Sequence, residues 1–235
     1  MASGRWASGG SGADHELDRR RLRVSSGVAA GTYLRRLFAG GTAGNEQLTA
    51  ATGALLVVLL AALGVTILRI RPLLGAHMFI GLLLMPPVLL KMASSGYRFV
   101  RYYTGSPSYR RKGPPAAALR MLAPAVVLST VVVFATGVAL LLLGPSSRGS
   151  LLAIHKASFV LWLGLTVIHV LGHLPELPRA LKAGNEHGTA LRSYGGAGGA
   201  GRLLSLGGVL VAGLVLAVLY IPQFTPWLHA QHFGH

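Results

Sequence analysis

Residues 151–174, LLAIHKASFVLWLGLTVIHVLGHL, decide the fold of this 235-residue chain. The stretch is long and apolar enough to cross a bilayer as an α-helix, which needs about 20 residues. It nevertheless carries three histidines, His155, His169 and His173. At about 100° per residue, His169 returns to within roughly 40° of His155 and His173 completes five turns, so one face presents imidazoles at two depths. The 1.5 Å rise separates His155 from His169 by about 21 Å, which predicts one near each boundary of a hydrocarbon core roughly 30 Å thick. Imidazole is costly in lipid, and these residues are therefore functional candidates.

Four more apolar runs have spanning length: 48–68, 73–92, 118–143 and 203–221. The chain thus reads as an all-α, polytopic membrane protein with five transmembrane helices, the second expected to kink at Pro86 and Pro87. Hydrophobic residues make up 52% of the chain and charged residues only 12%, as such a protein requires. All six acidic residues lie outside the runs. No intramembrane carboxylate is left for a proton relay, which argues against proton-driven transport. The absence of cysteine excludes disulfides, thiolate-ligated clusters and thiol catalysis.

The net charge of +16 sits in connections beside the spans, where topology and anionic lipid explain it better than nucleic acid does. With the N-terminus inside, eighteen of the 22 lysines and arginines fall on the cytoplasmic side, and only Arg69, Arg71, Arg148 and Lys156 fall outside. The positive-inside rule therefore predicts a plasma-membrane protein with a cytoplasmic N-terminus and an extracytoplasmic C-terminus. Residues 1–47 read as a disordered basic cytoplasmic tail, with Tyr33 to Phe38 able to form an interfacial turn. Residues 48–174 form a four-helix bundle, 175–202 a cytoplasmic loop, 203–221 the fifth helix, and 222–235 a histidine-containing tail.

Aligning His77 with His155 brings two helix pairs into register, as in a duplicated hairpin. Each histidine lies a few residues into a span that follows a short outer turn, so the two share a depth. If their helices face each other, both imidazoles can bind one haem iron from opposite faces, giving a low-spin b-type centre suited to electron transfer. Gly75, Ala76 and Gly81 are small enough to admit a porphyrin, and Arg69, Arg71 and Lys156 lie at the level of its propionates. At the inner end the same register sets Lys91 against His169 and Ser95 against His173. Three outcomes are open there: no inner haem, a haem held by His169 or His173 with Lys91 opposite, or a polar pocket for something else. Lys91 also has an ordinary reading as a snorkelling cation at a helix end.

The thirteen residues between His155 and His169 on one spanning helix give an arrangement that resembles the cytochrome b family of helical-bundle haem proteins, over residues 48–174. That resemblance implies a four-helix haem-binding bundle plus one additional helix, with His77 and His155 on the outer haem and His169 on an inner one. The metal ligands would then be His77, His155 and His169, and the cofactor haem b, one copy or two. It also implies an electron-transfer subunit of an oxidoreductase rather than a stand-alone enzyme, exchanging electrons with a quinone or a redox partner protein. The chain departs from the family pattern in having no histidine in the first span and Lys91 where a fourth ligand belongs.

Residues 96–115, rich in tyrosine and arginine, suit either a docking or quinone-headgroup surface or a plain interfacial anchor. Gly207, Gly208 and Gly213 are expected to let the fifth span pack closely. His229, His232 and His235 follow it at three-residue spacing and could collect a metal ion, although without carboxylate or thiolate help. The competing reading of the whole is a haem-free membrane scaffold or small transporter component whose histidines tie helices together.

Overall fold

The computed structural model describes residues 41–111, 117–173 and 198–232. Residues 1–40, most of the 175–202 loop, Leu174, Lys112 and His235 lie outside them, as do the side chains of His173 and His232. The described residues are almost wholly helical, with no strand among them. Seven helices run in order: α1 (Gly41–Leu68), α2 (Ile70–Tyr103), α3 (Pro107–Arg111), α4 (Ala117–Leu143), α5 (Arg148–His173), α6 (Gly199–Leu219) and α7 (Thr225–His232). Five of them, α1, α2, α4, α5 and α6, are long and apolar enough to cross a membrane. Their many exposed Val, Leu and Ile side chains are what a lipid-facing surface requires, since lipid is no less apolar than the side chains themselves.

Several boundaries differ from those expected; helix α6, for one, begins at Gly199, inside the expected 175–202 loop. Helix α1 begins at Gly41, so residues 41–47 of the expected tail are helical. Helix α2 runs on to Tyr103, because 93–103 contains no proline and its one glycine, Gly96, only weakens a helix, and hydropathy marks where a helix leaves lipid rather than where it stops. It ends at Thr104 and Gly105, the latter at φ 85°, a conformation glycine adopts without steric cost. The irregularity within α2 falls at Leu73 (φ −109°, ψ 17°) and not at the proline pair, through which the helix continues. The chain thus reverses over 69–73, and the membrane helix proper starts at Leu73.

Antiparallel pairs α1–α2 and α4–α5 form two hairpins, and α6 packs mainly on α2. In the first, Asn45 Nδ2 donates to the Ser94 carbonyl at 3.1 Å and Lys91 Nζ to the Thr49 carbonyl at 2.8 Å. In the second, Trp162 Nε1 donates to Thr130 Oγ1 at 2.9 Å. Leu82, Leu141, Ala217 and Phe224 form one buried cluster that ties α2, α4, α6 and the 3-10 turn Ile221–Phe224 together. Burying a side chain such as Phe224 contributes about 1.5–3 kcal/mol. This pin turns the segment after α6 back over the bundle, where α7 touches α2 and the turn that follows α4.

Candidate functional site

The two hairpins match in side-chain geometry. Thr66 Oγ1 lies 2.9 Å from His77 Nδ1, and Thr136 Oγ1 lies 3.0 Å from His155 Nδ1. Each threonine comes from the first helix of its hairpin and each histidine from the second. Both hydroxyl protons are already committed: Thr66 donates to the Leu63 carbonyl, and Thr136 donates to the Val132 carbonyl at 2.8 Å. A carbonyl can only accept, and a hydroxyl has one proton, so each threonine oxygen accepts from Nδ1–H of its histidine. This pattern suits the Nδ1–H tautomer of each ring, the one in which Nε2 carries the lone pair.

Both rings line one cavity of about 320 Å³, which falls in the range of ligand-sized sites, roughly 300–1,000 Å³. All four hairpin helices contribute to its wall: Leu60 and Leu63 from α1, Met78 and Gly81 from α2, Phe134 and Gly137 from α4, Phe159 and Trp162 from α5. The lining is otherwise almost entirely aliphatic and aromatic. Gly137 makes room for the second ring: a Cβ placed there would stand 3.2 Å from His155 Cε1. A Cβ at Gly81 would meet nothing within 4 Å.

Trp227 of α7 and Lys156 of α5 also line the cavity. Trp227 is only 8% exposed, and its Nε1 is buried with no hydrogen-bond partner among the described residues. Leaving such a donor unsatisfied costs about 1–3 kcal/mol.

Of the residues singled out from the sequence, His77, His155, Gly81 and Lys156 meet at this cavity. Arg69 and Arg71 are exposed at the same end and do not line it. Lys91 points into its own hairpin, donating to Thr49 across Gly53, whose Cβ would stand 3.2 Å from Nζ. His169 is half-buried on α5 and away from the cavity wall. His229 is exposed on α7. Among the described residues no three of His, Asp and Glu gather closely enough to hold a metal ion.

Thr66, Thr136, Gly137 and Trp227 are the contributors that sequence reasoning missed. The tail did carry a signal: Phe224, Trp227 and Leu228 follow the i, i+3, i+4 spacing of an amphipathic turn, with Pro226 at the start of its helix. Comparison with protein-family models, with curated proteins and with solved structures found no match.

Proposed function

We propose that this chain is a b-type cytochrome of the membrane, in which His77 and His155 hold one haem b between the two hairpins. The observation that carries the reading is the imidazole pair, one ring from each half of the duplication, lining a single apolar cavity with both Nδ1 atoms tied to threonine. Two imidazoles without a carboxylate or a third histidine beside them suit an iron that brings a macrocycle better than a bare metal ion. His77 and His155 would hold the haem, which would supply one-electron iron chemistry there.

The protein's own part is to position and to insulate. Thr66 and Thr136 orient the rings and, by accepting from Nδ1–H, make Nε2 the better donor. Gly137 keeps the His155 ring from being displaced, and the aliphatic wall keeps water from the iron's ligands. The role that follows is an electron-transfer subunit of an oxidoreductase, passing electrons between a quinone pool or redox partner and an extracytoplasmic partner. The charge distribution supports an orientation with the imidazole pair near the outer face of a cell membrane.

The test is optical. Protein purified after expression with ample haem is expected to be red, to give a reduced-minus-oxidised b-type spectrum, and to carry one haem at this site. His77→Ala and His155→Ala should each abolish that haem. A colourless, folded preparation would instead favour the scaffold reading.

A further inference from the structure

We infer that the cavity opens sideways between α1 and α5, and that its ligand enters and leaves through this slot from the apolar phase of the bilayer. The inference rests on the haem reading above and adds the route of loading, which the imidazole pair alone leaves open.

The four hairpin helices form an arc and not a closed ring. Helix α1 packs on α2 and α5 on α4, but α1 and α5 make no packed pair with each other, although both line the cavity. The opposite side is sealed. There Leu82 of α2 and Leu141 of α4 share the core cluster that Ala217 and Phe224 complete. Burial follows the same division: the cavity residues Leu82, Leu140 and Leu141 are buried, whereas Ile67 of α1 and Leu152 and Phe159 of α5 stay half-exposed.

Nothing drives the slot shut. In water two apolar faces would close on each other, but lipid is as apolar as these side chains, so helices associate there through small residues or polar contacts. The cavity faces of α1 and α5 carry mainly leucine, isoleucine and phenylalanine, and the cross-helix hydrogen bonds of Thr66, Lys91, Thr136 and Trp162 each stay within one hairpin. A planar macrocycle with two apolar faces can slide edge-on through such a gap. A strongly hydrated ligand would have to shed its water first.

The chain has no cysteine, so an introduced pair can be tethered selectively. In one full-length variant, Ile67→Cys and Leu152→Cys are joined across the slot by a flexible bismaleimide. In a second, Gly75→Cys and Leu228→Cys join α7 to α2, since Leu228 lies 3.8 Å from where a Gly75 Cβ would stand. Uptake of haem b from phosphatidylcholine vesicles is timed by absorbance for each variant, before and after tethering. The tether across the slot should slow uptake by about tenfold or more, because any other route requires part of a hairpin to unpack first. The α7 tether should leave the rate unchanged. Protein loaded before it is tethered across the slot should release haem to excess apomyoglobin more slowly, by a similar factor. Unchanged uptake across a tethered slot, or faster release from it, would overturn the inference. So would equal or greater slowing by the α7 tether, which would point to entry beneath that helix. Failure of the untethered protein to take up haem would instead overturn the haem reading itself.

Discussion

Thr66 Oγ1 and His77 Nδ1 stand 2.9 Å apart across the α1–α2 turn, although the residues are eleven positions apart in the chain. Thr136 and His155, nineteen positions apart, make the same contact at 3.0 Å. The connection in the second hairpin is longer, yet the contact persists, so what is duplicated is the threonine–histidine pair rather than the loop that joins it. Replacing Thr66 with the near-isosteric Val removes the acceptor and frees the tautomer. Haem affinity should fall by about 10–100-fold, the usual cost of losing a group that orients a metal ligand. Loss of donation from Nδ1–H also makes Nε2 a weaker donor, which disfavours the ferric state, so the midpoint potential should rise. Optical redox titration of Thr66→Val and Thr136→Val reads both effects; unchanged potential in both variants would remove the threonines from the site.

Gly137 separates a steric requirement from a general need for small residues. A Cβ there would press on the His155 ring at 3.2 Å, whereas a Cβ at Gly64 would meet nothing within 4 Å. Gly137→Ala should therefore lower haem occupancy while Gly64→Ala leaves it intact, both judged by the ratio of haem absorbance to protein. Equal occupancy in the two variants would mean that the ring adjusts freely and that Gly137 is not a constraint.

Much of this was legible in the sequence, for identifiable reasons. Spanning helices announce themselves by apolar length, and the expected runs 48–68, 73–92, 118–143, 151–174 and 203–221 each coincide with a helix. The register of His77 on His155 also brought together two residues that do share a cavity. The threonines were not legible, because Thr inside an apolar run is unremarkable until a partner on another helix is known. Trp227 escaped for a different reason. It follows the last span and two prolines, where hydropathy reports an exit from lipid and says nothing of a chain that folds back.

Lys91 offers a test of how many haems the chain holds. Its register opposite His169 admits a role as an inner ligand, but Nζ is bonded to the Thr49 carbonyl at 2.8 Å and the residue does not line the cavity. Lys91→Met keeps the length and apolar stem of the side chain and removes the amine. The haem-to-protein ratio measured after extraction should be the same as in the unsubstituted protein. A loss of half the haem would show that Lys91 serves a second centre.

Among the mid-helix glycines of α6, Gly213 should behave differently from Gly207 and Gly208. Pro87 has no N–H to offer the carbonyl of Leu83 four residues earlier, so that oxygen is released from the helix ladder of α2. It lies against Gly213, where a Cβ would collide with it, and the close approach leaves only a weak Cα–H to carbonyl contact possible. Gly207 and Gly208 meet nothing within 4 Å and are exposed. Of the three, then, Gly213 alone answers the expectation of close packing within the chain. Gly213→Ala forces α6 away from α2 and should cost about 1–3 kcal/mol, as overpacking of a tight contact does. Gly207→Ala and Gly208→Ala should be neutral or stabilising by up to about 1 kcal/mol, from helix propensity. Thermal unfolding in a single detergent separates the cases. A Gly213→Ala protein that melts with the other two would mean that α6 is held by something other than its seat on the Leu83 carbonyl.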